Sequence, residues 1–180
     1  GESCLELEEP EESRKSLMCG RSFGKPLKEL EDIRPALTHF VQNAVTRLWK
    51  YKQATSALTV YLSTNRFRKN IAQRSVSASV EMEATDNVLQ LNAEAQRALE
   101  QAFEFGFEYH KVGVLLHDLV AVKNIPASLF ETESGIKNSS ELMWAVRKIN
   151  AKFGRYTVAS ASVSGSSDWR ARSKFRSPAF

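Results

Sequence analysis

Hydrophobic residues in one early segment of this chain recur every three or four positions, the spacing that lines one face of a helix. The segment contains Pro35, which suits the first turn of a helix because it has no amide proton to donate. We therefore expect the helix to begin near Ile33, with Asp32 as its N-cap, and to end near Tyr51. Its predicted buried face comprises Leu30, Ile33, Leu37, Phe40, Val41, Ala44, Val45 and Leu48.

Two further segments have the same helical spacing. The second helix is expected to follow Asp86 or Asn87 and to end at Gly106, since glycine readily adopts the left-handed conformation that closes a helix. The third helix is expected at residues 140–153, ended by Gly154. The predicted inward residues are Leu91, Ala95, Ala98, Leu99, Ala102 and Phe103 in the second helix and Leu142, Val146, Ile149 and Phe153 in the third.

Alternation of apolar and polar residues marks residues 55–64, 75–82 and 109–120 as half-buried strands. A shorter strand is predicted at residues 16–23. The order strand, helix, strand, strand, helix, strand predicts an α+β fold, a four-stranded antiparallel-type sheet with two helices on one face and the other face open. The expected inner residues are Leu58, Val60, Leu62, Val76, Ala78, Val80, Met82, Val112, Val114 and Leu116.

Composition and local charge divide the chain further. Residues 1–15 are expected to be an acidic linker, because positions 1–14 hold six Glu and a single Arg. Residues 16–120 form the predicted sheet domain. Residues 121–139 are expected to be a polar linker, and residues 140–180 a C-terminal helix, a short strand and a basic tail.

Beyond the acidic start, basic residues outnumber acidic ones. The chain of 180 residues has a formal net charge of +4, and residues 15–180 alone carry 24 basic against 15 acidic side chains. Such an excess favours an anionic partner. No segment approaches the roughly 18 uninterrupted apolar residues of a membrane span, so we expect a cytoplasmic protein with no membrane partner.

The open face of the predicted sheet is the candidate binding surface. No Asp or Glu occurs between Ala54 and Val80, whereas basic residues cluster in the connection between the second and third strands. Small hydroxyl side chains on those strands can hydrogen-bond to phosphate oxygens while a backbone approaches closely. A solvated sheet face, with loop arginines that confer solubility, is the alternative interpretation. The candidate DNA contacts are Arg21, Ser22, Arg66, Arg68, Lys69, Arg74, Ser75, Ser77 and Lys111.

The aromatic content of these strands bears on the type of nucleic acid. Tyr61 is the exception among strands that otherwise project few aromatic side chains. A platform on which single-stranded bases stack is therefore disfavoured. The residues favour sequence-independent contact with a duplex backbone, whose affinity falls steeply with salt.

Catalytic and metal-binding patterns are weak in this sequence. His39, His110 and His117 have neither metal ligands at a suitable spacing nor a nucleophile motif beside them. Cys4 and Cys19 fit neither a disulfide framework nor a metal site. The acidic residues form no cluster that would hold two divalent metals. We therefore expect no enzymatic activity and no cofactor in this chain alone.

Five strings of the sequence resemble, in order and at similar spacing, the C-terminal part of UmuC-type Y-family translesion DNA polymerases. They are CGRSFG at 19–24, YHKVGVLLHDL at 109–119, SLF at 128–130, LMWAVRKINAKFGRYTV at 142–158 and SPAF at 177–180. Together they extend over nearly the whole chain.

The resemblance implies that the predicted sheet domain is the little finger, the accessory domain that binds the primer-template duplex. It implies that the catalytic domains, with the carboxylates that bind Mg²⁺, precede Gly1, and that the acidic start leads from the thumb. The implied function is error-prone translesion synthesis in the SOS mutagenesis and DNA repair response. The implied partner is double-stranded primer-template DNA.

By the same resemblance, the string PASLF occupies the position of a sliding-clamp-binding peptide. Ser128, Leu129 and Phe130 match its last three positions, while proline and alanine stand where the family has glutamine and a larger aliphatic residue. Alternatively, the apolar pair packs under the helix of residues 140–153. A second hypothesis is a protein-interaction module that recruits the clamp or a UmuD-like accessory subunit and has little DNA affinity of its own.

Overall fold

The computed structural model describes most of the chain and resolves seven helices and strands within the described part. The described residues are 14–68, 70, 72–125, 133–154, 156–160 and 169–170. The elements are β1 (Ser16–Leu27), α1 (Leu30–Tyr51), β2 (Gln53–Thr64), β3 (Ser75–Thr85), α2 (Val88–Ala102), β4 (Tyr109–Ala121) and α3 (Glu133–Phe153), with a short 3₁₀ turn at Val122–Asn124.

The four strands form one antiparallel sheet in the order β1-β4-β2-β3. Helix α1 packs on β1 and β4, and helix α2 packs on β2 and β3, so both helices lie on the same face. The predicted α+β class, with its order of elements and its two helices on one side, is confirmed. The second face of the sheet carries neither of these helices.

The core lies between the sheet and the two helices, and its composition follows the sequence periods. The predicted inner residues of β2 and β4 are fully buried, because these two strands are central. Those of β3 are partly buried against the core, because β3 is an edge strand. From β1, Leu17 and Cys19 complete the inner face, and the Cys19 thiol is free.

Helix α1 begins a turn earlier than its sequence suggested. It starts at Leu30, preceded by Glu29, so the predicted cap at Asp32 is wrong. Acidic side chains in the first turn favour this start through the helix dipole, and Arg34 donates to Glu31 at 2.9 Å. Lys52, in a left-handed conformation, ends the helix close to the predicted position.

Helix α2 confirms its predicted start but not its predicted end. The Asn87 side chain accepts a hydrogen bond of 2.9 Å from the Leu89 amide, as an N-cap does. The helix ends at Ala102 rather than at Gly106, whose φ of 95° belongs to the following turn. The early end lets Phe103 leave the helical path and pack on the Tyr109 ring, 5.6 Å between centroids.

Helix α3 differs most from expectation. It begins at Glu133, so the later part of the segment predicted to be a linker is helical, while its end beside Gly154 is confirmed. The predicted apolar stripe is not the buried one, because Met143 is 6% exposed whereas Leu142 is 51% and Phe153 66% exposed. Residues 156–160, the described part of the predicted last strand, form turns and coil.

None of the helices in the described ranges is both long enough and apolar enough to traverse a lipid bilayer.

Candidate nucleic-acid interface

Strand register arranges the open face as four rows that cross all four strands. Each row contains one residue from β1, β4, β2 and β3, because cross-strand partners in an antiparallel sheet point to the same side. From one end of the sheet to the other, the rows are Ser16, His117, Ala57, Glu81; Met18, Leu115, Thr59, Ser79; Gly20, Gly113, Tyr61, Ser77; and Ser22, Lys111, Ser63, Ser75.

The last of these rows contains three hydroxyl side chains and one cation. Ser22, Lys111 and Ser75 share this row, and Ser77 is the edge residue of the row beside it. Four of the residues predicted from sequence to contact DNA are therefore neighbours on one face. The spacing between adjacent strands, about 5 Å, makes the row roughly as wide as a few nucleotides of backbone.

The β2–β3 connection continues the same end of the sheet. Arg66 and Arg68 are exposed there, beyond the row that contains Ser63 and Ser75. At the opposite end of the open face, the first row carries Glu81. The open face thus has a basic end and, at the opposite end, a carboxylate, so a polyanion is expected to cross only the basic half.

Tyr61 lies across the third row, over two glycines. A Cβ atom built on Gly113 would lie 2.7 Å from Tyr61 Cε1, and one built on Gly20 would meet the phenolic oxygen. Lys111 Nζ lies 5.4 Å from the centre of the Tyr61 ring, within the range of a cation–π contact. The ring therefore covers the centre of the face, and the lysine ammonium is held beside it.

The Tyr61 hydroxyl is a polar group of this surface that is buried rather than available to a ligand. The oxygen is buried without a hydrogen-bond partner in the described part of the chain. Burial raises the pKa of this phenol above its ordinary value, so the group is neutral and does not repel phosphate. Nearby, Thr59 Oγ1 is 2.8 Å from Ser79 Oγ and 3.0 Å from His117 Nε2, so these hydroxyls are already engaged.

Two predicted contacts lie apart from this group. Arg74 donates to both carboxylate oxygens of Glu104, 2.7 Å from Nε to Oε2, and lies over the Phe107 ring. Arg74 also holds the pKa of Glu104 below its ordinary value. Arg21 pairs with Val112 and so belongs to the helix-covered side of β1. The Arg74 guanidinium is therefore directed away from the open face, and the register places Arg21 on the opposite side of β1 from that face.

The other predicted site residues lie outside the described residues. Lys69 and the proposed clamp peptide Ser128, Leu129 and Phe130 belong to this group. Whether the apolar pair packs on α3 therefore stays a prediction. Among the residues that the structure describes, there is no group of three or more His, Cys, Asp or Glu side chains that could hold a metal ion.

Sequence reasoning missed an aromatic cluster formed by the C-terminal region on α1. His39 stacks on Tyr156 with 4.9 Å between ring centroids and lies 5.3 Å from Trp169, which also packs against Phe40. Trp169 is 5% exposed, and the Tyr156 hydroxyl donates to Asn43. The one signal in the sequence was an isolated tryptophan in a polar, basic tail. This aromatic cluster (His39, Phe40, Tyr156 and Trp169) attaches the tail to the helix layer.

Helix α3 attaches to the same side. Arg147 lies over the Trp49 ring at 5.1 Å, donates to the Trp49 carbonyl and approaches Asp86 at 3.9 Å. A cavity of about 530 Å³ lies between α1 and the C-terminal residues. Its lining is mostly apolar and includes Trp49, Val146 and Tyr156. The described part of the C-terminal region therefore contacts α1, on the side of the sheet opposite to the open face.

Comparison with known proteins identifies the class of this chain. It belongs to the impB/mucB/samB family, whose C-terminal domain model matches residues 14–129. A second model, described as a domain of unknown function (DUF4113), matches residues 140–180. The resemblance to UmuC-type proteins proposed from the sequence is confirmed.

Individual proteins are similar to this chain over part or all of its length. Protein UmuC of Salmonella typhimurium is 28% identical over 181 residues, covering 100% of this chain and 43% of that protein. Protein ImpB of the same organism is 26% identical, with 42% of its length covered. The chain thus spans less than half of these relatives. A solved structure, DinB from Sulfolobus solfataricus, aligns over 59% of this chain and 29% of its own, with 11% identity and a TM-score of 0.48.

Proposed function

We propose that this chain is the DNA-binding, little-finger part of a UmuC-type translesion DNA polymerase and holds primer-template duplex by its phosphate backbone. Polymerase activity, Mg²⁺ use and a role in SOS mutagenesis and DNA repair belong, in this proposal, to the longer protein. Membership of the impB/mucB/samB family supports it. The observation that carries it is the basic end of the open face.

The chemistry of that end suits a sugar-phosphate backbone. Lys111 and the loop arginines Arg66 and Arg68 supply positive charge, and Ser75 and Ser77 supply donors on an edge strand. Contacts of this type fix a protein on a duplex without reading its bases. Because they displace condensed counterions, each phosphate contact steepens the salt dependence of binding by about 0.9 in a log–log plot.

Titration of duplex DNA at several salt concentrations tests this proposal. Binding by the unaltered chain should weaken steeply with salt, and Lys111→Ala should lower the slope by about one. Arg97→Ala is the matched control, because Arg97 is an exposed cation of α2, paired with Glu94 on the helix-covered side. No binding at low salt, or equal effects of the two substitutions, would contradict the proposal.

We also propose that Ser128, Leu129 and Phe130 attach the protein to the sliding clamp. Two adjacent apolar anchors suit insertion into a groove of a partner, where a few buried side chains supply most of the affinity. Replacing both Leu129 and Phe130 with alanine should abolish clamp binding without changing the melting temperature. A large loss of stability would instead assign the pair to the protein's own core. A UmuD-like accessory subunit is the other candidate partner of this region.

A further inference from the structure

The tip of the β2–β3 connection displays a single large aromatic side chain. Phe67 is 88% exposed, the highest exposure among the large hydrophobic residues that the model describes. Both of its sequence neighbours, Arg66 and Arg68, are exposed as well. An exposed phenylalanine alone is unremarkable in a surface loop. Its position between two exposed cations, beside the basic end of the open face, is what distinguishes it.

Local hydrogen bonds hold this tip in a defined conformation. The Asn65 side chain accepts from the Phe67 amide at 3.0 Å, and the Asn65 carbonyl accepts from the Arg68 amide at 3.2 Å. Gln73 donates to the Arg66 carbonyl at 3.0 Å, which ties the two arms of the connection together. An asparagine that bonds to the amide two residues ahead is a standard turn former. The ring of Phe67 is thus presented on a structured turn.

A second exposed aromatic in the molecule provides a contrast. Phe105 is 82% exposed in the turn between α2 and β4, but its neighbours are Glu104 and Gly106. Glu104 is paired with Arg74, so the Phe105 ring lies beside an ion pair rather than between two exposed cations. A polyanion would approach the Phe67 tip more favourably than the Phe105 turn.

The chemistry of a cation–aromatic–cation tip defines its ligand. Arginines bind phosphates, and an aromatic ring between them can stack on a base whose π-face is free. In an intact duplex, bases are stacked on one another, so a free face exists only at an unpaired, frayed or extruded base. This surface therefore suits a junction between duplex and single strand.

We propose that Phe67 stacks on an unpaired base next to the duplex, while Arg66 and Arg68 contact the phosphates that flank it. The proposal rests on the proposed DNA binding and deepens it, because it names the structural feature of DNA that the tip recognises. The open face binds duplex backbone, and the tip detects where the duplex ends.

Two DNA probes and three variants test the proposal. The probes are a blunt duplex and the same duplex with a single-stranded overhang that carries 2-aminopurine, a fluorescent base that reports stacking. Phe67→Ala should weaken binding of the overhang probe about tenfold and alter the fluorescence change, with no effect on the blunt duplex. Phe67→Trp should restore both signals. Phe105→Ala, the matched control, should change neither.

Salt dependence separates stacking from a loss of charge contacts. Because Phe67→Ala removes no charge, the salt slope should equal that of the unaltered chain. Equal weakening of blunt and overhang probes, or no weakening of either, would overturn the role of Phe67 while leaving the duplex proposal intact. Failure of the unaltered chain to bind any DNA at low salt would overturn both. Circular dichroism of each variant verifies that the fold is unchanged.

Discussion

Tyr61 lies close against two glycines of the open face. A methyl group added at Gly113 would meet atoms of the Tyr61 side chain. A methyl group added at Gly20 would meet the Tyr61 hydroxyl oxygen and two backbone atoms, 2.7 Å from Gly113 Cα and 2.8 Å from the Val112 carbonyl oxygen. We expect Gly113→Ala and Gly20→Ala each to destabilise the protein by about 1–3 kcal/mol, as overpacking does. Chemical denaturation would measure both losses.

Removing the ring distinguishes the two glycines. In a Tyr61→Ala background, Gly113→Ala should lose most of its effect, because the three atoms nearest to its methyl group all belong to Tyr61. Gly20→Ala should remain destabilising there, since its methyl group still meets backbone atoms. Equal recovery at both positions would show that Tyr61 does not lie on the glycines.

Several individual residues were beyond prediction from the sequence because their roles depend on register or on distant partners. The glycines below Tyr61 become meaningful only when β1, β4 and β2 are aligned. Arg74 lies in a stretch without acids, but its partner Glu104 is 30 residues away and comes from another turn. By contrast, Lys111, Ser75 and Ser77 could be assigned to one surface from strand alternation alone.

At the scale of elements, the alternating strands could be predicted well and the C-terminal helix could not. Successive side chains of a strand point to opposite faces of the sheet, so alternation of apolar and polar residues identifies a strand that is buried on one face. The first turns of α3 contain Gly, Asn and Ser, which are poor helix formers. The buried side of α3 was assigned only in part: Val146 lines the cavity against α1, whereas Leu142, Ile149 and Phe153 are exposed. Met143 joins the core instead, and Arg147 contacts Trp49 and Asp86.

The attachment of the C-terminal region to α1 should depend on pH through His39. Burial, and then the charge of Arg170, lower the pKa of His39 from its ordinary value of 6.5. The unfolded chain therefore binds a proton at a higher pH than the folded chain. Stability should be greatest above about pH 6.5 and should fall as pH decreases toward the folded-state pKa, below which it levels off.

Thermal unfolding between neutral and mildly acidic pH measures this dependence. His39→Gln should reduce the difference between the two melting temperatures, because glutamine does not titrate. His110→Gln removes a histidine outside the aromatic cluster and is the control. If both variants have the same pH dependence as the unaltered chain, His39 is not the group responsible.

At the scale of the whole molecule, the described C-terminal residues and the open face lie on opposite sides of the sheet. The described contacts of the C-terminal residues are with α1 and with the turn before α2. The open face lies on the other side. Its basic end is formed by residues of β4 and β3 and by the β2–β3 connection. A partner bound through the described C-terminal residues would therefore leave the open face accessible to DNA.

This arrangement predicts that the sheet domain folds without the C-terminal region. Of the buried hydrophobic residues that the model describes, only Met143 and Trp169 come from beyond Ile125. A chain ending at Ile125 should keep a single cooperative unfolding transition, because the contacts between sheet and helices are intact. Its melting temperature should fall by several degrees, since Phe40 and Trp49 lose the groups that cover them.

The same shortened chain tests the separation of the two regions. Its affinity for duplex DNA should fall only because the shortened chain has lost net positive charge. The effect of Lys111→Ala on that affinity should equal the effect in the full chain, because the contact made by the lysine is unaffected. Trp169→Ala in the full chain supplies the control, since it removes the buried anchor without removing the basic tail. If the shortened chain folds but its affinity no longer responds to Lys111→Ala, the C-terminal region contributes directly to the DNA surface. Loss of cooperative unfolding would instead show that α3 and the tail belong to the same folding unit as the sheet.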